Sequence, residues 1–146
     1  MPILRCSVQK RQTLIEFYSE WASETNAISV EIGKAMLSII ELINITFIET
    51  KVYGLTSRAH LQLFAQDNIS AECYISFISN GQEFRIKYLI PTGMQISHDI
   101  KISNSANSLE EIKKYLIIAM AESEAWKDCL ELIKLYQQLK DKNAYT

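Results

Sequence analysis

Glycine (4 residues) and proline (2) are scarce in this 146-residue chain, and so are histidine (2) and cysteine (3). So little glycine and proline excludes long flexible linkers, collagen-like repeats and Gly-rich phosphate loops. Cys6, Cys73 and Cys129 are odd in number, far apart and free of any CxxC pair. That pattern argues against a disulfide framework and points to a reducing, cytoplasmic setting. Two histidines without clustered cysteines supply no zinc ligand set, and neither a metal nor a cofactor is expected. The chain carries no GxSxG, HExxH, Walker or dinucleotide fingerprint, so nothing in it asks for catalysis. A basic excess is missing too: 15 basic against 17 acidic residues give a net charge of −2, which argues against a general nucleic-acid binder. No apolar run approaches the roughly 18 residues that a membrane span needs. The richest stretch, 28–48, is broken at helical spacing by Ser29, Glu31, Lys34, Ser38, Glu41 and Asn44. The N-terminus is mixed and lacks the apolar core of a secretory signal.

What the chain does have is enough apolar material to fold. With 48% hydrophobic residues it is no disordered segment, and its length favours a single domain over 1–146. Leu14, Ile15, Phe17, Tyr18, Trp21 and Ala22 share one arc of a helical wheel within 8–23, and Thr13 with Glu16 forms a capping-box pattern that starts the helix. A second helix is expected over 27–44, where Ile28, Ile32, Ala35, Met36, Ile39 and Ile43 recur at steps of three and four. Val30, Gly33, Leu37 and Ile40 form a second strip on its far side, the mark of a helix that contacts a second element or another subunit.

The period then changes to two. Strands are expected at 48–52, 61–63, 73–77, 84–88 and 94–102, each alternating apolar with polar residues. Asn80-Gly81 is the strongest turn signal: a two-residue type I′ hairpin would pair Ser79 with Gln82, and so Phe77 with Phe84, Ile75 with Ile86 and Cys73 with Tyr88. Ser108 and Glu111 open a third helix. Its apolar arc swings at Ser123, which predicts a break there and a last helix to about 140 that buries Trp126, Cys129, Leu130, Ile133 and Tyr136. The fold class is therefore α+β: two N-terminal helices, a five-stranded, mainly antiparallel meander over about 46–102, and two C-terminal helices, with the helices packed on one sheet face. The other face would carry Glu49, Lys51, Tyr53, His60, Gln62, Tyr74, Arg85, Lys87 and Asp99.

Three functional readings follow. Glu16, Glu20 and Glu24 are spaced i, i+4, i+8 on the first helix, and Glu124, Asp128 and Glu131 make a similar ridge on the last. Such a ridge complements a basic partner and speeds its capture. On the open sheet face, Tyr53 and Tyr74 stand among Lys51, Arg85 and Lys87, and Tyr and Arg are residue types that favour protein interfaces. In size, acidity and poverty of motifs the chain resembles bacterial toxin-immunity proteins. The resemblance implies a small, cytoplasmic, non-catalytic protein-binding inhibitor that occludes a basic partner surface. The second reading is a ligand-binding or catalytic cone with a pocket near His98, lined also by Cys73 and Tyr88. The third is a self-assembling subunit, a homodimer joined through Val30, Gly33 and Leu37. None of the three involves a membrane.

Overall fold

Thr13 begins the first helix as its spacing to Glu16 predicts: the Thr13 hydroxyl accepts from the Glu16 N–H at 3.1 Å, and the Glu16 carboxylate accepts from the Thr13 N–H at 3.0 Å. The structure, a computed structural model, describes residues 3–68, 75–89, 96–103 and 108–144. In chain order these form β1 (Leu4–Arg5), α1 (Leu14–Ala22), α2 (Ala27–Thr46), β2 (Tyr53–Ser57), β3 (His60–Phe64), β4 (Ile75–Ser79), β5 (Glu83–Leu89), β6 (Ile96–Ser103), α3 (Ser108–Glu122) and α4 (Leu130–Ala144). The α+β class and the helices on one sheet face stand as expected, but the sheet has six strands, in the order β1 to β6. The additional strand, β1, is two residues long and pairs in parallel with β2, too short to show a period. Beyond it, the Gln9 side chain completes the edge: its amide donates to the Thr56 carbonyl at 2.7 Å and accepts from the Thr56 N–H at 2.8 Å. That satisfies backbone groups an edge strand otherwise leaves open.

Residues 48–52, expected as a strand, form no strand. The Glu131 carboxylate on α4 accepts the N–H groups of Ile48, Glu49 and Thr50 at 2.9–3.1 Å and the Thr50 hydroxyl at 2.6 Å. A carboxylate that collects consecutive N–H groups replaces the ladder partners a strand would need. Glu49 and Lys51 thus belong to this loop and not to the sheet face.

The hairpin between β4 and β5 is also shifted. Ser79 pairs with Phe84, Phe77 with Ile86 and Ile75 with Tyr88, two residues from the predicted register. The Asn80 side chain explains it: Oδ1 accepts from the N–H groups of Gln82 and Glu83 at 2.9 and 2.8 Å, an Asx turn within a longer loop. Only Gly81 takes a positive φ, of 92°, whereas a type I′ turn needs two such residues. A two-residue slip keeps every side chain on its face, so facing alone could not reveal it. Cys73 lies outside the described residues, as does Tyr74.

One apolar cluster joins the layers: α1 packs beside α2 and reaches β2 and the β2–β3 turn through Leu14 and Tyr18, while α2 also meets β4. Met36, Ile39, Ile40 and Ile43 are fully buried, while Ile28, predicted on the same arc, is 64% exposed. The second strip of α2 meets α1: a Cβ on Gly33 would stand 2.3 Å from the Ala22 nitrogen and 2.8 Å from the Tyr18 carbonyl. Helices cross this closely only over glycine. α3 packs against β5 and β6, with Ile112, Leu116, Ala119 and Met120 buried. The break at Ser123 is present, but Ser123 caps only a short turn, its hydroxyl accepting from the Ala125 N–H at 3.2 Å. α4 restarts at Leu130 with a new phase. It buries Leu132 and leaves Leu130 72% and Ile133 50% exposed, contrary to the predicted arc. Among the described residues no helix is long and apolar enough to cross a membrane.

Candidate functional site

An antiparallel sheet with helices on one side presents alternate residues on the other. Leu61, Leu63, Ile75, Phe77, Phe84, Ile86 and Ile102 face the helices and are buried. Their neighbours make the open face. One cross-strand row runs Leu55, Gln62, Ser76, Lys87, Asp99, with Ser76 buried, and the next runs Ile78, Arg85, Lys101. Tyr53 borders the first row, and Tyr53, Leu55, Ile78, Arg85 and Lys87 are all half-buried, with Lys101 exposed. Apolar residues therefore lie toward β2 and β4, while β5 and β6 bring Arg85, Lys87 and Lys101 to the face, with Asp99 opposite Lys87 in the register. Arg85 stands directly opposite Lys101 in the β5–β6 register.

Tyr53, Arg85 and Lys87 are thus brought to one face as the alternation predicts. Leu55 and Ile78 belong to it as well. They were missed because 48–52 was read as the strand instead of 53–57, and because the strand expected at 73–77 stops short of Ile78.

The acidic residues have other tasks. Glu16 closes the α1 capping box, and the Thr13 N–H, with the Thr13 side chain second, holds its carboxyl below the ordinary value. Glu20 is exposed on α1, while Glu24 lies beyond the helix end, so the predicted i, i+4, i+8 ridge does not continue to it. Glu131 is turned inward onto the loop at 48–50. Desolvation pushes its carboxyl up, but the Thr50 hydroxyl and the N–H groups of Glu49, Thr50 and Ile48 together outweigh this and hold it below its ordinary value.

The residues named for a pocket do not gather into a described one. Tyr88 is buried, and its hydroxyl donates to Glu122 at 3.0 Å; burial first, then this carboxylate, raises the phenol above its ordinary value. His98 is opposite Tyr88 in the β5–β6 register, but its side chain lies outside the described residues. Cys6 is buried, and burial pushes its thiol up, away from reactivity. The Cys129 sulfur is 3.0 Å from the Thr50 hydroxyl. Among the described residues no three His, Cys, Asp or Glu side chains stand close enough to hold a metal. Of the strip named for self-assembly, Gly33 is covered by α1, and Val30 and Leu37 are half-buried beside it.

No family model matches the chain, and no curated protein or solved structure does either.

Proposed function

We propose that this chain is a non-catalytic, cytoplasmic protein-binding domain that receives an acidic, partly apolar segment of a partner protein on the open face of its sheet. The observation that carries the reading is the composition of that face. Half-buried Ile78 is the cross-strand neighbour of Arg85, Arg85 faces Lys101 with Lys87 in the adjoining row, and half-buried Tyr53 and Leu55 lie on the same face two strands further from β5. Carboxylates of such a segment complement the three cations, and apolar contact with Ile78 supplies the desolvated centre that interface energetics favours. Inhibition by occlusion, as in the immunity proteins that the chain resembles in size and acidity, is a natural outcome of such docking. The charge sense is reversed from the acidic-ridge version, because Glu131 is turned inward onto the loop at 48–50 and Glu24 lies beyond the end of α1, which interrupts both ridges.

The test is affinity capture from native lysate with three forms: wild type, an Arg85→Glu/Lys87→Glu variant, and Glu20→Lys. A single stoichiometric protein held by wild type and Glu20→Lys, weakened by salt and absent from the sheet variant, supports the reading. Loss from Glu20→Lys with retention by the sheet variant overturns it in favour of the helix ridge. Capture of nucleic acid, or of nothing, also overturns it.

A further inference from the structure

On the helix-bearing side, at the β1–β2 edge, the N-terminal segment, α1 and the β2–β3 turn enclose an open cleft of about 640 Å³. That volume is within the range of small-molecule sites. Arg5, Lys10, Arg11 and Arg58 line it together with Phe17 and Trp21, and no acidic residue lines it. Four cations thus converge in a chain whose net charge is −2.

Arg5 is fixed in place. One guanidinium nitrogen donates to the Thr56 hydroxyl at 2.7 Å, another to the Thr13 carbonyl at 3.3 Å, and the group lies 5.1 Å from the centre of the Phe17 ring. Its partners are all neutral, so its charge is uncompensated by any of them. Arg58 reaches the cleft from the β2–β3 turn, where Ser57 and His60 form the closing pair. Its φ of 56° is the only positive value among described residues other than glycine. Glycine adopts that conformation without steric cost, and a side chain there is disfavoured on backbone grounds alone. The position therefore places a cation where the turn itself would prefer none.

We propose that this cleft is a binding site for a nucleoside phosphate, with the phosphates held by Arg5 and Arg58 and assisted by Lys10 and Arg11, and the planar base against Trp21. Arginine forks match phosphate oxygens in pairs, which a single ammonium cannot. Phe17 is already covered by Arg5, which leaves Trp21, half-buried, as the ring available for stacking. The site is on the other side of the sheet from the proposed protein-docking face and does not depend on it.

Calorimetric titration of the full chain with ADP, pyrophosphate and adenosine tests the assignment. ADP is expected to bind with one-to-one stoichiometry and to weaken as salt rises, pyrophosphate to bind more weakly, and adenosine more weakly still. Arg58→Gly is expected to weaken ADP and pyrophosphate by about tenfold or more while the melting temperature stays level or rises, which separates lost binding from lost folding. Trp21→Leu is expected to weaken ADP and leave pyrophosphate unchanged. No binding of ADP at millimolar concentration, or unchanged affinity in Arg58→Gly, overturns the site. Pyrophosphate binding as tightly as ADP, or ADP insensitive to Trp21→Leu, overturns its assignment to a nucleoside.

Discussion

Replacing Gly33 with alanine separates two opposite expectations by sign. In an exposed helix interior the change is favourable, by about 1 kcal/mol of helix propensity. Here the new Cβ would meet the Ala22 nitrogen at 2.3 Å, the Ala22 Cα at 2.8 Å and the Tyr18 carbonyl at 2.8 Å. All three are backbone atoms, so no rotamer change relieves the contact, and α1 must move away from α2 as a unit. That movement loosens Leu14 and Tyr18 in the core and the Tyr18 hydroxyl's 3.1 Å bond to the Ala59 carbonyl. Overpacking of this kind costs about 1–3 kcal/mol, and more where backbone must shift. We take the upper end and subtract the propensity gain, which leaves a net loss of about 2 kcal/mol. At the usual unfolding entropy per residue, a chain of this size then melts about 6 °C lower. Urea unfolding followed by circular dichroism, with calorimetry for the melting point, measures both quantities. Ala22→Gly added to Gly33→Ala should not rescue stability, because the clashing atoms remain. A Gly33→Ala protein as stable as wild type, or more so, would refute the close crossing of α1 and α2.

Glu131 and Tyr88 give two further expectations. Glu131→Gln replaces a charged acceptor that serves consecutive N–H groups, and at neutral pH it should cost about 2 kcal/mol. The folded carboxyl is held below its ordinary value, so the folded state takes up a proton less readily than the unfolded one. The stability this contributes is complete above about pH 4.5 and is lost as the pH falls through the lowered value. Urea unfolding from pH 7 to 3 should therefore show a shallower decline for Glu131→Gln than for wild type, and equal slopes would count against the clasp. Tyr88→Phe keeps the buried ring but leaves Glu122 without its 3.0 Å donor. A loss of about 1 kcal/mol is expected in the same assay, and no loss would mean that the bond contributes nothing.

Much of the architecture was legible because periodicity reports which side of an element meets the core. The α1 start is written in Thr13 and Glu16, whose pairing depends only on residues three apart. β4, β5 and β6 were legible from alternation, and the break at Ser123 from the turn of an apolar arc. The errors fall where a distant residue decides the local outcome. Glu131 draws 48–50 out of strand geometry from more than eighty residues away, and no local pattern announces it. The Asn80 side chain competes with the tight turn that Asn-Gly favours, and the resulting slip of two residues leaves the facing pattern untouched.

The same division holds for the candidate sites. Tyr53, Arg85 and Lys87 were identified from alternation because one sheet face is a property of sequence order. The opposition of Arg85 and Lys101 required the register, whereas Leu55 and Ile78 lie just past the ends of the strands expected at 48–52 and 73–77. The cleft of Arg5, Lys10, Arg11 and Arg58 was invisible: its cations come from segments about fifty residues apart, joined by the short parallel pairing of β1 with β2 and by the bonds of Arg5 and Gln9 to Thr56. By itself, then, the sequence determined the α+β class, the helices and the faces, since apolar spacing acts through neighbours on one element. Tertiary structure alone decided registers, edges and the convergence of charge, since these depend on side-chain hydrogen bonds and close approaches between segments that sequence order keeps apart.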